Sequence, residues 1–140
     1  MNQVVVKQEK SGYQIVEAYK SLRTNLQFCG EDKKVIAITS CTPNEGKSSV
    51  SMQLGISLAE IGKRVILIDA DLRKSVLLGR TKTEKSVRGL AHFLSGQASL
   101  EDVICATNIK NFYMIYSGPF PPNPAELLGG KNFRSLFLSV

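Results

Sequence analysis

Ser40-Cys41-Thr42-Pro43-Asn44-Glu45-Gly46-Lys47-Ser48-Ser49 is the stretch on which the reading of this sequence turns. Before it stands Val35-Ile36-Ala37-Ile38-Thr39, a short β-branched run that predicts a buried strand. After it, Val50, Leu54, Leu58 and Ile61 recur at helical spacing and Gly62 offers a stop, so a helix is expected from about Lys47 to Ile61. A loop between a strand and a helix that closes on Gly-Lys-Ser is the context of a phosphate-binding loop. Gly46 lets the backbone approach phosphate oxygens with no Cβ in the way. Lys47 is placed to reach the β- and γ-phosphates, and the Ser48 hydroxyl to complete a Mg²⁺ shell. Asn44 tolerates positive φ better than other non-glycine residues. The general pattern GxxxxGK[ST] has glycine where this chain has Cys41, which is its one departure.

A second signal lies one strand further on. Val65-Ile66-Leu67-Ile68 runs straight into Asp69-Ala70-Asp71. Both apolar runs are too uniform to face water on one side, so strand, helix and strand form a βαβ unit of a parallel sheet with helices on both faces. In such sheets ligands bind outside the carboxyl ends of the strands. Asp69 and Asp71 therefore face the phosphate loop as candidate Mg²⁺ ligands, and one of them as a proton acceptor. The plainer reading, that an Asp at a strand end simply shapes the turn, suits a single Asp better than a pair.

The 140 residues suffice for one domain, and 43% hydrophobic with 21% charged residues excludes a disordered or collagen-like chain. Lys plus Arg number 18 against 12 Asp plus Glu, and the net charge of +6 favours anionic partners. Cys29, Cys41 and Cys105 form no CxxC pair, which disfavours a disulfide framework or a zinc site and suits a reducing cytosol. No apolar run approaches the roughly 20 residues needed to cross a bilayer, and the N-terminus lacks a signal-peptide core, so a soluble intracellular chain is expected.

Residues 1–12 read as a flexible start. Ile15, Tyr19, Leu22 and Leu26 then mark one face of a helix that Gly30 can end. Beyond Asp71 the chain turns basic, with Arg73, Lys74, Arg80, Lys82, Lys85 and Arg88, and reads as a solvated loop. No aromatic residues interleave with these, so nucleic-acid binding is not expected. Short helices are expected near Leu90–Leu94 and Leu100–Ile104, a strand at Phe112–Tyr116, and closing helices from Ala125 and through Phe133–Leu138. His92 has no ligating neighbour in the sequence and receives no role.

Taken together, these motifs resemble the bacterial tyrosine kinases that act on their own tyrosines and control capsular and exopolysaccharide synthesis. Ser40, Pro43, Glu45, Gly46, Lys47 and Ser48 fit that family's Walker A variant SxxPxEGKS, and Asp69, Asp71 and Arg73 fit its DxDxR motif, Walker A′. Glu17-Ala18-Tyr19-Lys20-Ser21-Leu22-Arg23-Thr24-Asn25-Leu26 is similar to EAYRxLRTNL, and Asn123-Pro124-Ala125-Glu126-Leu127-Leu128 to PPNPxELL. The likeness runs from about Glu17 to Leu138. It implies an ATP- and Mg²⁺-dependent non-specific protein-tyrosine kinase with a P-loop NTPase-like α/β fold. The nucleotide would be bound by Thr42, Pro43, Asn44, Glu45, Gly46, Lys47, Ser48 and Ser49. Ser48, Asp69 and Asp71 would hold the metal, and Lys47, Asp69 and Asp71 would serve the reaction.

The resemblance also implies a homo-oligomer built through the N-terminal helix by Glu17, Lys20 and Arg23. It implies a separate transmembrane activator that recruits the chain to the inner face of the membrane, and protein tyrosine substrates. Lys20 departs from the family's Arg there, and a lysine lacks the planar fork that pairs bidentately. The family's Walker B strand and C-terminal tyrosine cluster are expected beyond Val140, so residues 1–140 read as the N-terminal part of a single kinase domain whose sheet is incomplete at the C-terminus. Two other readings stand beside this one. A septum-positioning or partition-type ATPase switch shares the Asp pair but carries an early loop lysine where this chain has Thr42. A truncated chain that binds nucleotide without chemistry is the other.

Overall fold

The alternation of side chains along a strand shows how this sequence builds two cores. The computed structural model describes residues 1–6, 12–30, 32, 34–39, 47–72, 81–83, 87–119 and 121–139, with the backbone alone at 47, 48, 81–83 and 139. Strand β2 (Val65–Ile68) lies parallel to β5 (Phe112–Ile115), pairing Val65 with Phe112 and Ile68 with Ile115. Val65, Leu67, Phe112 and Met114 point to one face, where they meet Met52, Ile56 and Ala59 of helix α2 (Lys47–Glu60). Ile66, Ile68 and Ile115 point to the other. There they pack with Leu90, Ala91 and Leu94 of α3 (Leu90–Leu94), Val103 of α4 (Leu100–Val103) and Leu136 of α6 (Lys131–Ser139). A sheet with helices on both faces is the α/β architecture expected from the sequence.

The sheet has five strands in the order β2-β5-β4-β1-β3, adding β1 (Asn2–Val6), β3 (Thr81–Thr83) and β4 (Cys105–Thr107). Its pairings are mixed: β2 with β5 and β1 with β4 are parallel, β4 with β5 and β1 with β3 antiparallel. The β4–β5 connection is short enough for a hairpin. Thr107 Oγ1 accepts the Ile109 amide at 3.1 Å and donates to the Phe112 carbonyl at 2.7 Å, and Asn111 takes φ 66°.

Two expectations are corrected. Residues 2–6 form a strand, not a loose start: Val4 and Val6 are 3% exposed, while Gln3 and Val5 face outward. Three valines in a row resemble a tail only until β4 and β3 take them between themselves. Residues 7–11 lie outside the described residues. Conversely, Val35–Thr39 forms no strand, and Val35 and Ile36 are 63% and 47% exposed. A β-branched run becomes a strand only against a neighbour, and among the described residues β2 pairs with β5 alone. The same end position leaves every residue of β2 half-buried.

The helices are set by local chemistry. Helix α2 lies so close to the sheet that a Cβ on Gly55 would meet the Phe112 ring at 2.7 Å. On the opposite face the Leu90 and Ala91 amides, at the start of α3, donate to the Tyr116 and Ser117 carbonyls at 2.6 and 2.9 Å. This close approach requires Gly89, since a Cβ there would collide with the Gly118 backbone. His92 is not idle: its Nδ1 accepts the Gly89 amide at 3.0 Å and holds the entry to α3. Helix α5 (Pro124–Leu128) opens on proline at its first position. Buried Cys105 has its thiol pushed up to about 11 by desolvation, so it stays protonated, whereas Cys29 is exposed.

Helix α4 is closed by a reciprocal cap. Asp102 Oδ2 accepts the Ser99 amide at 3.0 Å and the Ser99 hydroxyl at 2.9 Å, and these bonds hold its carboxyl below the usual 3.8. A depressed folded-state value means the contribution is complete above 3.8 and is lost as pH falls below it through the lowered value. Thermal melts will show Asp102→Asn less stable than the parent at neutral pH, with the gap closing in that acid range. A gap that is constant with pH contradicts the cap.

Candidate nucleotide site

The phosphate loop proper, Ser40 to Gly46, and with it the expected nucleotide contacts of Thr42, Pro43, Asn44, Glu45 and Gly46, lies outside the described residues. What the structure does place is the helix that follows. Lys47 and Ser48 are the first two residues of α2, and Ser49 follows half-buried in the same turn. Their amides belong to the end of α2 that carries unsatisfied N–H groups and the positive pole of the helix dipole. That end attracts phosphate.

Topology brings the acidic pair to the same edge. Residues 61–64 return the chain from the end of α2 to the start of β2, and the two elements pack against each other. They therefore run in opposite directions, so the first turn of α2 and the carboxyl end of β2 share one edge of the sheet. Asp69 is held at that edge by its amide, which donates to the Ile115 carbonyl at 2.9 Å and extends the β2–β5 ladder by one residue. Its Oδ1 accepts the Asp71 amide at 3.0 Å, and the Leu72 amide reaches Ala70 O at 3.0 Å. Asp69 thus shapes the turn that presents Asp71, and Leu72 anchors the turn in the core. Both carboxylates are half-buried and offer the hard oxygen donors that Mg²⁺ requires. Among the described residues no three Asp, Glu, His or Cys side chains group for a metal ion.

The sequence did not single out the end of β5. Tyr116 and Ser117 are buried beside Asp69, fixed by the α3 amides, and Gly118 turns there with φ 82°. The signal available was the position of this strand end next to the Asp pair, which only the sheet order reveals.

Helix α1 (Tyr13–Phe28) lies across α2. Of its three proposed contact residues, Glu17 and Lys20 pair with each other on the outer surface at 3.5 Å. Arg23 reaches α2 instead: Nη1 donates to the Ser57 carbonyl at 2.9 Å and to Ser57 Oγ at 3.2 Å, and lies 3.8 Å from Glu60. The structure thus gives all three residues partners within their own chain.

A family profile described as an AAA domain matches residues 33–120. The tyrosine-protein kinase CpsD of Streptococcus agalactiae is 43% identical over 124 residues, covering 89% of this chain and 54% of that relative. Among solved structures, the kinase domain of the Escherichia coli tyrosine kinase ETK superposes with a TM-score of 0.82 at 36% identity, covering 89% of this chain and 49% of that one. The BceF tyrosine kinase domain superposes with a TM-score of 0.79 at 40% identity, covering 89% and 50%. The chain spans about half the length of the curated relatives it matches. Its phosphate-loop motif and strand-end carboxylates, and the likeness in sequence and fold to bacterial tyrosine kinases, lead to one assignment: the chain belongs to the AAA domain family.

Proposed function

We propose that this chain binds ATP with Mg²⁺ at the edge shared by the first turn of α2 and the carboxyl end of β2. In this reading it is the nucleotide-binding part of a tyrosine autokinase of capsule and exopolysaccharide synthesis. The observation that carries it is the common edge itself: Lys47 and Ser48 open α2 where Asp69 and Asp71 close β2. The relatives named tyrosine-protein kinase CpsD support the reaction class, and one relative named as a putative tyrosine-protein kinase in the cps region supports the capsule connection.

Each residue has a part in this reading. Lys47 and the α2 amides neutralise and orient the phosphates, so positioning and charge stabilisation carry most of the rate. Ser48, Asp69 and Asp71 hold the metal, and one of the two carboxylates takes the proton of the attacking tyrosine hydroxyl. ATP, when bound, supplies the phosphoryl group. By the family resemblance, self-association runs through α1, and recruitment to the inner membrane face belongs to a separate transmembrane activator. Phosphotyrosine formation, as opposed to phosphate release alone, distinguishes this kinase from a partition-type switch.

Calorimetric titration with ADP and Mg²⁺ tests the site. Lys47→Ala will weaken binding by at least about tenfold, the loss expected for one charge-assisted bond. Unchanged affinity in that variant contradicts the proposal. Asp69→Asn separates the two roles of Asp69. Its amide oxygen can still accept the Asp71 N–H, so stability will hold within about 0.5 kcal/mol while the Mg²⁺-dependent part of the affinity falls. If stability falls and the Mg²⁺-dependent affinity does not, Asp69 is only a turn former.

A further inference from the structure

We propose that His92 is a positioning residue for the Asp69–Asp71 turn, acting through the end of β5 from the face of the sheet opposite α2. Three consecutive carbonyls at that strand end are held from two elements. The Ile115 carbonyl accepts the Asp69 amide at 2.9 Å, the Tyr116 carbonyl the Leu90 amide at 2.6 Å, and the Ser117 carbonyl the Ala91 amide at 2.9 Å. The acidic turn therefore grips the first carbonyl and the first turn of α3 the next two. The opening amides of a helix have no partner within it, and here a strand end supplies two of them. The Gly89 amide, just before the helix, is accepted by His92 Nδ1 at 3.0 Å. Gly89 has no side chain with which to cap α3, and its close approach to the Gly118 backbone leaves no room for one. The return half of a capping box is what remains, and His92, at the third position of α3, provides it.

Packing joins the same parts. A Cβ on Gly118, where φ is 82°, would stand 3.2 Å from Gly89 Cα and 3.4 Å from His92 Nδ1, so the imidazole lies against the turn that follows β5. The other end of the acidic turn is held by apolar contact: Leu72, directly after Asp71, is buried in one cluster with Leu90, Ala91 and Leu94. Helix α3 thus braces the turn twice, at Asp69 through the β5 carbonyls and at Leu72 through the core. His92 fixes the entry of the helix on which both braces depend.

The importance of the turn rests on the nucleotide reading above, but the brace can be read without nucleotide, so the two can fail separately. Hydrogen exchange of the full chain reads the brace, and calorimetric titration with ADP and Mg²⁺ reads its consequence. In His92→Ala the amides of Leu90 and Ala91, and with them those of Asp69 and Asp71, will exchange on the order of tenfold faster. The Mg²⁺-dependent affinity will fall on the order of threefold. His92→Gln keeps an acceptor for the Gly89 N–H, as glutamine does in a capping box, and will restore both; His92→Leu, which has none, will not. Imidazole nitrogen spectra of the parent will place the ring proton on Nε2, leaving Nδ1 to accept. Faster exchange confined to Leu90 and Ala91, with Asp69 and Asp71 unchanged, overturns the proposal, because His92 then caps α3 alone. A glutamine variant that behaves like the leucine variant, or a ring proton on Nδ1, overturns it equally. Should His92→Ala lose its fold, the glutamine and leucine variants decide by the same exchange at Asp69 and Asp71. If the parent chain binds no ADP, the nucleotide reading fails while that exchange still decides the brace.

Discussion

Val65 to Ile68 lie in parallel register with Phe112 to Ile115, and this pairing organises the rest of the molecule. Because strand side chains alternate, the two short strands feed two separate cores at once, α2 on one face and α3, α4 and α6 on the other. The pairing also runs one residue past the strand, through the Asp69 amide and the Ile115 carbonyl, which fixes where the acidic pair begins. If that ladder slipped by one residue, every side chain of β2 would change faces and the Asp69 turn would move with them.

The elements legible in the sequence are those whose pattern is local. Helix α2 and strand β2 announce themselves by spacing and by the Gly62 stop, where φ is 90°. The carboxyl-edge position of Asp69 and Asp71 follows from the same reading. What escaped depends on partners distant in sequence. β1 exists because β4 supplies one edge and β3 the other. The three-residue strands β3 and β4 carry no periodicity worth the name. Val35–Thr39 has strand composition but no neighbour to pair with among the described residues.

The direction of Arg23 was legible but unread. It stands four residues after Tyr19 and three before Leu26, and so beside both on the helix surface. Tyr19, Arg23 and Leu26 are indeed among the half-buried positions of α1. A family pattern of charges groups Arg23 with Glu17 and Lys20, and its hydrogen bonds join it to Ser57 of α2. His92 gives a similar lesson at smaller scale. A histidine without a ligating partner in sequence still finds work, here as acceptor for the Gly89 amide at the entry to α3.

In the proposed function the start of α2 and the end of β2 form one metal–nucleotide site. Paramagnetic broadening of backbone amides by Mn²⁺, added with ADP in place of Mg²⁺, reads that juxtaposition directly. Broadening is expected at Lys47–Val50 and at Asp69–Leu72 together, with Val65 and Asn111 at the opposite edge spared. Broadening that spares Asp69–Leu72, or that centres on the exposed Glu101 and Asp102, would contradict it.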